Sequence, residues 1–412
     1  MGGDPDLAGI GLRDYASIFA IRSLRWPVVW SALARMPYAM LTMNVLFLVE
    51  TRSSSFGVAG IASAGVLVGT AVGSMVLGRA FDLWGPTTPL TATTLIFVLA
   101  TTVLLAWRVE WGTGPLALVA VLLGLSQPNV APASRALWSR AAVDERTAAV
   151  GASYEALSLQ SFFVLGPGVA GLWAVFTLEG VGLLVTCLLM SGAALAFAWT
   201  PAVSSWRGLG VGSVRSGPWL RRSHVLTQVV ISACVGFLLG TAEVVVPAVA
   251  EIGGLSAGAG GLLLSGWTIG SLVFALVYGR RPWPCRLQRR PATLTLFFGV
   301  MMALTGLAAG GPFLIFAAAI VAAGMPVAAA TAAQSQVLEV LIPAERVAGA
   351  FGLLLSGLML GAATGQALAG QIVEWRGASS ALLASGGVVT CVALALLLGP
   401  VRRNARHESV TT

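Results

Sequence analysis

The sequence predicts an all-α membrane protein with twelve transmembrane helices arranged as two six-helix pseudo-repeats. Three observations support this fold class: the composition, the spacing of the apolar runs and an internal repeat. Of the 412 residues, 57% are hydrophobic and 10% are charged, and the mean hydropathy is +0.88. Soluble domains carry about 25% charged residues. Most of this protein's surface must therefore face lipid.

Apolar runs of about 20 residues, the length that spans a bilayer, occur twelve times. They are 27–49, 57–78, 88–107, 115–134, 148–174 and 180–199 in the first half, and 226–249, 257–279, 292–309, 312–333, 348–372 and 378–399 in the second. This spacing predicts an N-terminal six-helix bundle over 1–200 and a cytoplasmic linker over 201–225. A C-terminal six-helix bundle with a short cytoplasmic tail follows over 226–412.

The distribution of basic residues predicts the orientation. All 24 basic residues are arginine, and the absence of lysine excludes a phosphate-binding loop of the GxxxxGK[ST] kind. With the N-terminus inside, 20 arginines lie on the cytoplasmic side and three outside, while Arg35 falls within a span. The positive-inside rule then places both termini in the cytoplasm of a multi-pass inner (plasma) membrane protein. Contact with anionic lipid headgroups explains the net charge of +8 better than nucleic acid does.

Glycines repeat between the two halves. Five of them recur in the second half at an offset of 201 residues: Gly57, Gly60, Gly65, Gly69 and Gly78 match Gly258, Gly261, Gly266, Gly270 and Gly279. In addition, Gly166 and Gly171 match Gly365 and Gly370 at an offset of 199. Such a parallel repeat predicts two halves that rock about a central site. Because small residues let helices approach closely, we expect the second span to pack against the eighth.

A motif follows the second span and reads Gly78-Arg-Ala-Phe-Asp82-Leu-Trp-Gly85. It fits the pattern G-x-x-x-D-x-x-G, and with the twelve spans it makes the chain resemble a major facilitator superfamily permease. The stretches Glu243-Val-Val-Val-Pro247 and Tyr278-Gly-Arg-Arg-Pro-Trp283 resemble those of actinobacterial members. The resemblance covers nearly the whole chain. It implies that Asp82, with Gly78 and Gly85, acts as a conformational latch. Leu83 stands where the family usually has a basic residue.

A second motif lies in the fifth span, Gly166-Pro167-Gly168-Val169-Ala170-Gly171. It resembles the exporter motif of the same family, and Gly166, Pro167 and Gly171 carry the likeness. Ala170 replaces one glycine of that pattern, which weakens the implication of export.

Three ionisable residues fall deep within spans: Arg35 in the first, Glu155 in the fifth and Glu243 in the seventh. Charge at membrane depth is costly, so such groups face a cavity or one another. Arg35 and Glu155 lie at a similar depth, about 11 Å from the inner ends of their spans. The resembled fold makes these spans neighbours, which predicts a pair. We expect proton coupling at Glu243 first and Glu155 second, with Arg35 as the modulating cation; a purely structural ion pair is the alternative.

Uncharged polar residues are few within the spans. The first, fourth, seventh and tenth spans line the cavity in the resembled fold, so Tyr38, Asn44 and Asn129 are candidates for substrate contact. Interhelical hydrogen bonding is the alternative role. A cavity with so few polar groups suits a lipophilic or amphipathic substrate.

These observations predict a secondary active transporter, a proton-coupled antiporter that exports a small lipophilic or amphipathic organic molecule. The alternatives are an importer or facilitator of a small organic solute and, from another class, a membrane-embedded enzyme. An enzyme needs clustered carboxylates or a Ser/His pair, whereas both histidines, His224 and His407, lie in predicted cytoplasmic segments. We expect no cofactor or metal, and a monomer whose partners are its substrate, protons and the lipid bilayer.

Overall fold

The structure, a computed structural model, describes residues 21–141, 150–151, 154, 166–176, 180–206, 223–280, 286–341 and 344–398. Within these ranges the regular structure is entirely helical. The first half contains α1 (Arg22–Arg35), α2 (Tyr38–Ser53), α3 (Phe56–Trp84), α4 (Thr87–Ala106), α5 (Thr113–Leu125), α6 (Ala131–Ala141), α7 (Gly166–Phe176) and α8 (Val181–Ala198). The second half contains α9 (Ser223–Ile252), α10 (Ala257–Arg280), α11 (Arg290–Ala308), α12 (Phe313–Gly324), α13 (Pro326–Leu341), α14 (Ala344–Arg376) and α15 (Ala378–Leu398).

The helices cross the molecule between two ends. We call the end at which α2 and α9 finish, near Ser53 and Ile252, the distal end. The proximal end is the one at which α1 begins and α15 finishes. Short turns join α2 to α3, α9 to α10 and α14 to α15 at the distal end, because glycine or a capping residue stops each helix there.

Ten helical stretches in the described part of the chain are long and apolar enough to cross a membrane, and α5 and α7 are shorter apolar helices. The ten coincide with ten of the predicted spans. Large apolar side chains stand exposed on the apolar helices: Leu118 of α5 is 72% exposed and Leu314 of α12 is 80% exposed. An apolar surface of this extent is stable in lipid and not in water, and the chain is a multi-pass membrane protein.

Three predicted spans are interrupted, which the hydropathy pattern did not predict. The helix of span 27–49 breaks between α1 and α2 at Pro37, and that of span 312–333 breaks between α12 and α13 before Pro326. In span 115–134 the helix ends at Leu125 and resumes only at Ala131. Proline lacks a backbone N–H and restricts the residue before it, so Pro128 accounts for the third break.

Two of these breaks are held by hydrogen bonds related by the internal repeat. Thr70 of α3 donates its hydroxyl to Oε1 of Gln127, in the break between α5 and α6, at 2.9 Å. Ser271 of α10 accepts a hydrogen bond from the backbone N–H of Ala328, just after the α12–α13 break, at 2.9 Å. Thr70 and Ser271 are 201 residues apart. Thr70 and Ser271, whose hydroxyl groups bond to the two broken helices, are therefore equivalent in the internal repeat, as the glycines are.

The glycines of α3 determine which helices it approaches. A Cβ added to Gly69 or Gly73 would overlap backbone atoms of Val121 and Leu125 in α5. Closer to the distal end, α3 turns a second face to α14. The close approach of the second span is therefore to the helices of the fourth and eleventh spans, and not to the eighth span as the repeat had suggested.

Candidate functional site

The two halves of the chain meet at the distal end through two pairs of helices. In the first pair, Gly60 of α3 faces α14. A Cβ added to Gly60 would lie 2.5 Å from the backbone oxygen of Gln366 and 3.4 Å from the Cα of Gly370. Ala64 and Ala363 pack in one buried cluster further along the same helices. Because only glycine leaves room for this approach, Gly60 sets the distance between the two halves.

The second pair joins α7 to α10 and contains the exporter-type motif. A Cβ added to Gly261 would lie 2.7 Å from the backbone oxygen of Pro167. One added to Gly171 would lie 3.1 Å from the Cα of Gly261. Gly258 faces the backbone oxygen of Gly171, and Gly166 is buried at the start of α7. We call the two helix pairs together the distal contact.

The internal repeat relates the two pairs. Gly60 corresponds to Gly261 at the offset of 201, and Gly171 corresponds to Gly370 at the offset of 199. Gly60 approaches Gly370, and Gly261 approaches Gly171. The two helix pairs of the distal contact are therefore equivalent: each pairs a helix of one half with a helix of the other, and the repeat converts one pair into the other. Two similar bundles around one axis are expected to show this arrangement.

Three glycines near the proximal ends of these helices have no close neighbour among the described residues. A Cβ added to Gly78 of α3, Gly279 of α10 or Gly352 of α14 would meet no heavy atom within 4 Å. Among the described residues, the close approach that glycines allow between the halves therefore lies on the distal side.

The motif after the second span lies in this proximal region. Asp82 is exposed, and within the described residues it makes no hydrogen bond or ion pair. Gly85 ends α3 with φ 75° and donates its N–H to the backbone oxygen of Phe81 at 2.9 Å. Such a left-handed conformation favours glycine. The role of Asp82 as a latch stays a prediction, whereas Gly85 has a clear local role in stopping the helix.

Glu243 is joined to the distal contact through one side chain. It is half-buried on α9, where Gly240 allows α9 to approach the backbone of Ala362 in α14. The Nε2 amide of Gln366 donates a hydrogen bond to Oε2 of Glu243. Gln366 is completely buried, and its Oε1 accepts no hydrogen bond from any described residue. The backbone oxygen of this same Gln366 faces Gly60 across the two halves.

Arg35 lies beside the break in the first span. It is the last residue of α1, and its side chain is 5% exposed. Tyr38 is the first residue of α2 and packs against the main apolar core. Glu155 lies outside the described residues, so the pairing of Arg35 with Glu155 stays a prediction.

The two asparagines proposed to contact substrate bond to neighbouring helices. Asn44 donates from Nδ2 to the hydroxyl of Thr186 in α8 at 3.0 Å. Asn129 donates to the hydroxyl of Ser74 at 3.4 Å, and its Oδ1 accepts from the N–H of Ala131 at 3.0 Å at the start of α6. Hydrogen bonding between neighbouring helices is therefore a sufficient role for both asparagines. Their contact with substrate stays a prediction. No group of three or more potential metal ligands occurs in the part of the chain that the structure describes.

Sequence reasoning missed two polar contacts at the distal end. Glu50, in the last turn of α2, and Glu251, in the last turn of α9, are half-buried, and their carboxyl groups lie near enough to interact. Ser55, before α3, donates its hydroxyl to Oε2 of Glu374 in α14 at 3.0 Å. Both contacts link the first half to the second. The repeat could have revealed the first one, because Glu50 and Glu251 are also 201 residues apart.

Comparison with known proteins places this fold among transporters. The sequence model of the Major Facilitator Superfamily matches residues 229–411, and a comparison with curated protein sequences finds no match. A bacterial homologue of the iron transporter ferroportin in an inward-facing state is 17% identical, with a TM-score of 0.67 over 89% of this chain and 96% of that one. The nucleoside transporter NupG is 14% identical, with a TM-score of 0.66 over 90% and 97%.

A third structure is similar over an even larger share of this chain. A bacterial homologue of the human lysosomal transporter Spinster, inward-facing and unoccupied, is 14% identical, with a TM-score of 0.66 over 94% of this chain and 96% of that one. The fold is that of major facilitator-type transporters.

Proposed function

We propose that this chain is a secondary active transporter that exports a small lipophilic or amphipathic molecule in exchange for protons. The observation that carries the proposal is the distal contact, in which glycines of both halves bring helices together at one end of the bundle, while described glycines near the proximal ends of α3, α10 and α14 have no such close neighbour. A bundle closed at one end is one of the two states that alternating access requires. Opening the distal contact and bringing the proximal ends together would produce the other.

The distribution of arginines predicts which end of the protein faces the cytoplasm. The proximal end carries the large excess of arginine, including Arg79, Arg280 and Arg286, and the positive-inside rule assigns that end to the cytoplasm. The distal contact then closes the transporter towards the outside. The substrate would enter from the cytoplasm or the inner leaflet and leave when the distal contact opens.

Glu243 is the group proposed to carry the coupling proton. An ionised Glu243 can accept a hydrogen bond from Nε2 of Gln366, but it has no O–H to donate to the buried Oε1 of that amide. A protonated Glu243 can also donate its O–H to Oε1, so that both polar atoms of the amide are bonded. A buried unsatisfied acceptor costs about 1–3 kcal/mol, which favours the protonated acid while the distal contact is closed. Proton release would then accompany a rearrangement of α9 against α14.

The substrate class is inferred from the use of the polar side chains. Asn44, Asn129 and Gln127 bond to neighbouring helices, and Nε2 of Gln334 donates to the backbone oxygen of Gln228 at 3.2 Å. Within the described parts of the spans, few polar side chains therefore remain to hydrogen-bond a hydrophilic solute. Recognition would rest on apolar contact, as in sites that bind lipophilic molecules.

The test is proton flux in liposomes that contain the purified protein and an imposed pH gradient. Lipophilic and amphipathic compounds are added one at a time, and a fluorescent dye reports the collapse of the gradient. We expect a subset of compounds to collapse the gradient with the wild type and not with Glu243→Gln. Glu110→Gln is the matched control, because Glu110 is exposed on the loop before α5, and it should behave as the wild type.

Three outcomes would contradict parts of the proposal. If compounds cross the membrane down their own gradients without moving protons, the protein is a facilitator. If Glu243→Gln moves protons as the wild type does, the coupling group lies elsewhere, with Glu155 as the next residue to substitute. Accumulation of hydrophilic solutes on the cytoplasmic side would indicate an importer.

A further inference from the structure

The distal end of α14 meets the start of α3 through one serine. Ser55 is the residue before α3, and its hydroxyl accepts a hydrogen bond from the backbone N–H of Val58 at 3.1 Å. The same hydroxyl donates to Oε2 of Glu374 in α14 at 3.0 Å. Because a hydroxyl can both donate and accept, Ser55 caps its own helix and also holds a carboxylate of the other half.

Gly57 makes room for this carboxylate. A Cβ added to Gly57 would overlap Oε2 of Glu374 and would lie 2.9 Å from Nε2 of Gln371, which is one turn earlier on α14. We call this space at Gly57 the notch. Gly57 is buried in the first turn of α3, whereas Glu374 is exposed. The positive end of a helix dipole stabilises an anionic group near the first turn, so the notch suits an ionised carboxylate.

The other helix pair of the distal contact has an apolar side chain at the equivalent place. Gly57 corresponds to Gly258 at the offset of 201, and Glu374 corresponds to Val175 at the offset of 199. A Cβ added to Gly258 of α10 would lie 2.8 Å from Cγ2 of Val175 in α7. The repeat therefore conserves the glycine and its close neighbour in the other half, but the neighbour is a carboxylate in one pair and a valine in the other.

The serine is also present in both pairs. Ser256, the residue before α10, corresponds to Ser55 at the offset of 201. The side chain of Val175 has no atom that could accept a hydrogen bond from Ser256. At these positions the contact between α3 and α14 is therefore polar, and the contact between α7 and α10 is apolar.

We propose that Glu374 is a clasp residue, which holds the distal end closed by binding Ser55 while its carboxylate occupies the notch. The clasp acts in one of the two repeat-related helix pairs. Opening the distal end breaks it, and water then hydrates the released carboxylate. The proposal rests on the opening that the proposed function requires, and it is independent of proton coupling and of the transported molecule.

The experiment removes the donor of the clasp and keeps the helix cap. In Ser55→Asp the new carboxylate can still accept from the N–H of Val58, but it cannot donate to Glu374 and it repels that charge. Spin labels on Val109→Cys and Leu314→Cys, exposed distal positions in different halves, report the closed-to-open ratio in lipid after the four native cysteines have been replaced. We expect Ser55→Asp to lower this ratio about 3- to 30-fold.

Two further variants separate the clasp from a general effect of the substitution. Ser256→Asp is the matched control, because it places the same acid before α10 opposite Val175, and it should retain the wild-type ratio. In Ser55→Asp combined with Glu374→Gln the amide can donate to the aspartate, so the ratio should recover. A Ser55→Asp variant as closed as the wild type, an equal effect of Ser256→Asp, or no recovery in the double variant would overturn the clasp.

Gly60→Val distinguishes failure of the clasp from failure of the proposed function. A Cβ at Gly60 would press on the backbone oxygen of Gln366, so this variant should open the distal end by another route. Longer distances in Gly60→Val and not in Ser55→Asp would refute the clasp and leave the transport proposal standing. Unchanged distances in both variants would refute the opening of the distal end, and the clasp with it.

Discussion

Replacing Gly60 by valine should weaken the closed state of the distal end. A Cβ at this position would lie 2.5 Å from the backbone oxygen of Gln366, whereas carbon–oxygen contacts usually lie at about 3.3–3.6 Å. Helix α14 must therefore move away by about 1 Å. A gap of that size forfeits about a quarter to a half of the dispersion attraction between the atoms that it separates.

The expected magnitude follows from this displacement. Overpacking of a close interface costs about 1–3 kcal/mol, and here the cost falls on the closed state alone, because the open state separates the two helices. The closed-to-open ratio should drop by about 5- to 150-fold. Gly192→Val is the matched control, since a Cβ on Gly192 of α8 meets no atom within 4 Å.

The assay is the distance between spin labels on the two halves at the distal end, measured in lipid for both variants. Gly60→Val should populate longer distances, and Gly192→Val should retain the distribution of the unsubstituted protein. An unchanged distribution in Gly60→Val would refute the inference that this glycine sets the distal closure. Val in place of Gly261, the repeat equivalent of Gly60, should act in the same way through α7.

Three further predictions concern the latch motif, the predicted pair and the orientation. Asp82→Asn should reduce transport and leave expression and substrate affinity within a few-fold; full activity would make Asp82 an ordinary interfacial residue. In a double-mutant cycle on stability in detergent, Arg35→Met or Glu155→Gln alone should cost about 3–5 kcal/mol and the double variant less than the sum, whereas additive losses would show that the two do not meet. In intact cells a membrane-impermeant thiol reagent should label a cysteine at Ser54 and not one at Arg286, and the reverse pattern would overturn the orientation.

Hydropathy predicted most of the helices because the energetic rule in lipid is simple. An unbonded backbone group inside a bilayer is costly, so an apolar run of sufficient length becomes a helix. The rule is insensitive to local breaks, and it treated Pro37 and Pro128 as ordinary members of long spans. Proline removes a backbone donor and also fits apolar surroundings, so its effect disappears when hydropathy is averaged over a window.

The glycine repeat predicted close helix approach but not the partner. A glycine within a helix predicts that another backbone lies near, but it does not identify the helix to which that backbone belongs. The second span therefore seemed to face its own repeat equivalent, while Gly60 instead faces α14 and Gly69 faces α5. Equivalent residues of the two halves can contact each other only near the axis that relates the halves, as Glu50 and Glu251 do.

The candidate site was predicted in part. Glu243 was chosen for its membrane depth, and its hydrogen bond to Gln366 depends on how α9 packs against α14. Asn44 and Asn129 were chosen as polar residues of cavity-lining spans, and their hydrogen bonds to neighbouring helices could not be read from one sequence. Distinguishing a ligand contact from a packing contact requires the position of the neighbouring helix.

Reversible locking of the distal end tests the central claim most directly. Ser55→Cys and Glu374→Cys place thiols where a hydrogen bond now joins the halves, and a short cleavable cross-linker can bridge them in a background without the native cysteines. Transport of a compound identified by the proton-flux assay should fall to the level of protein-free liposomes after cross-linking and return after reduction. A cross-linked protein that transports at the rate of the reduced protein would show that the halves need not separate at this end.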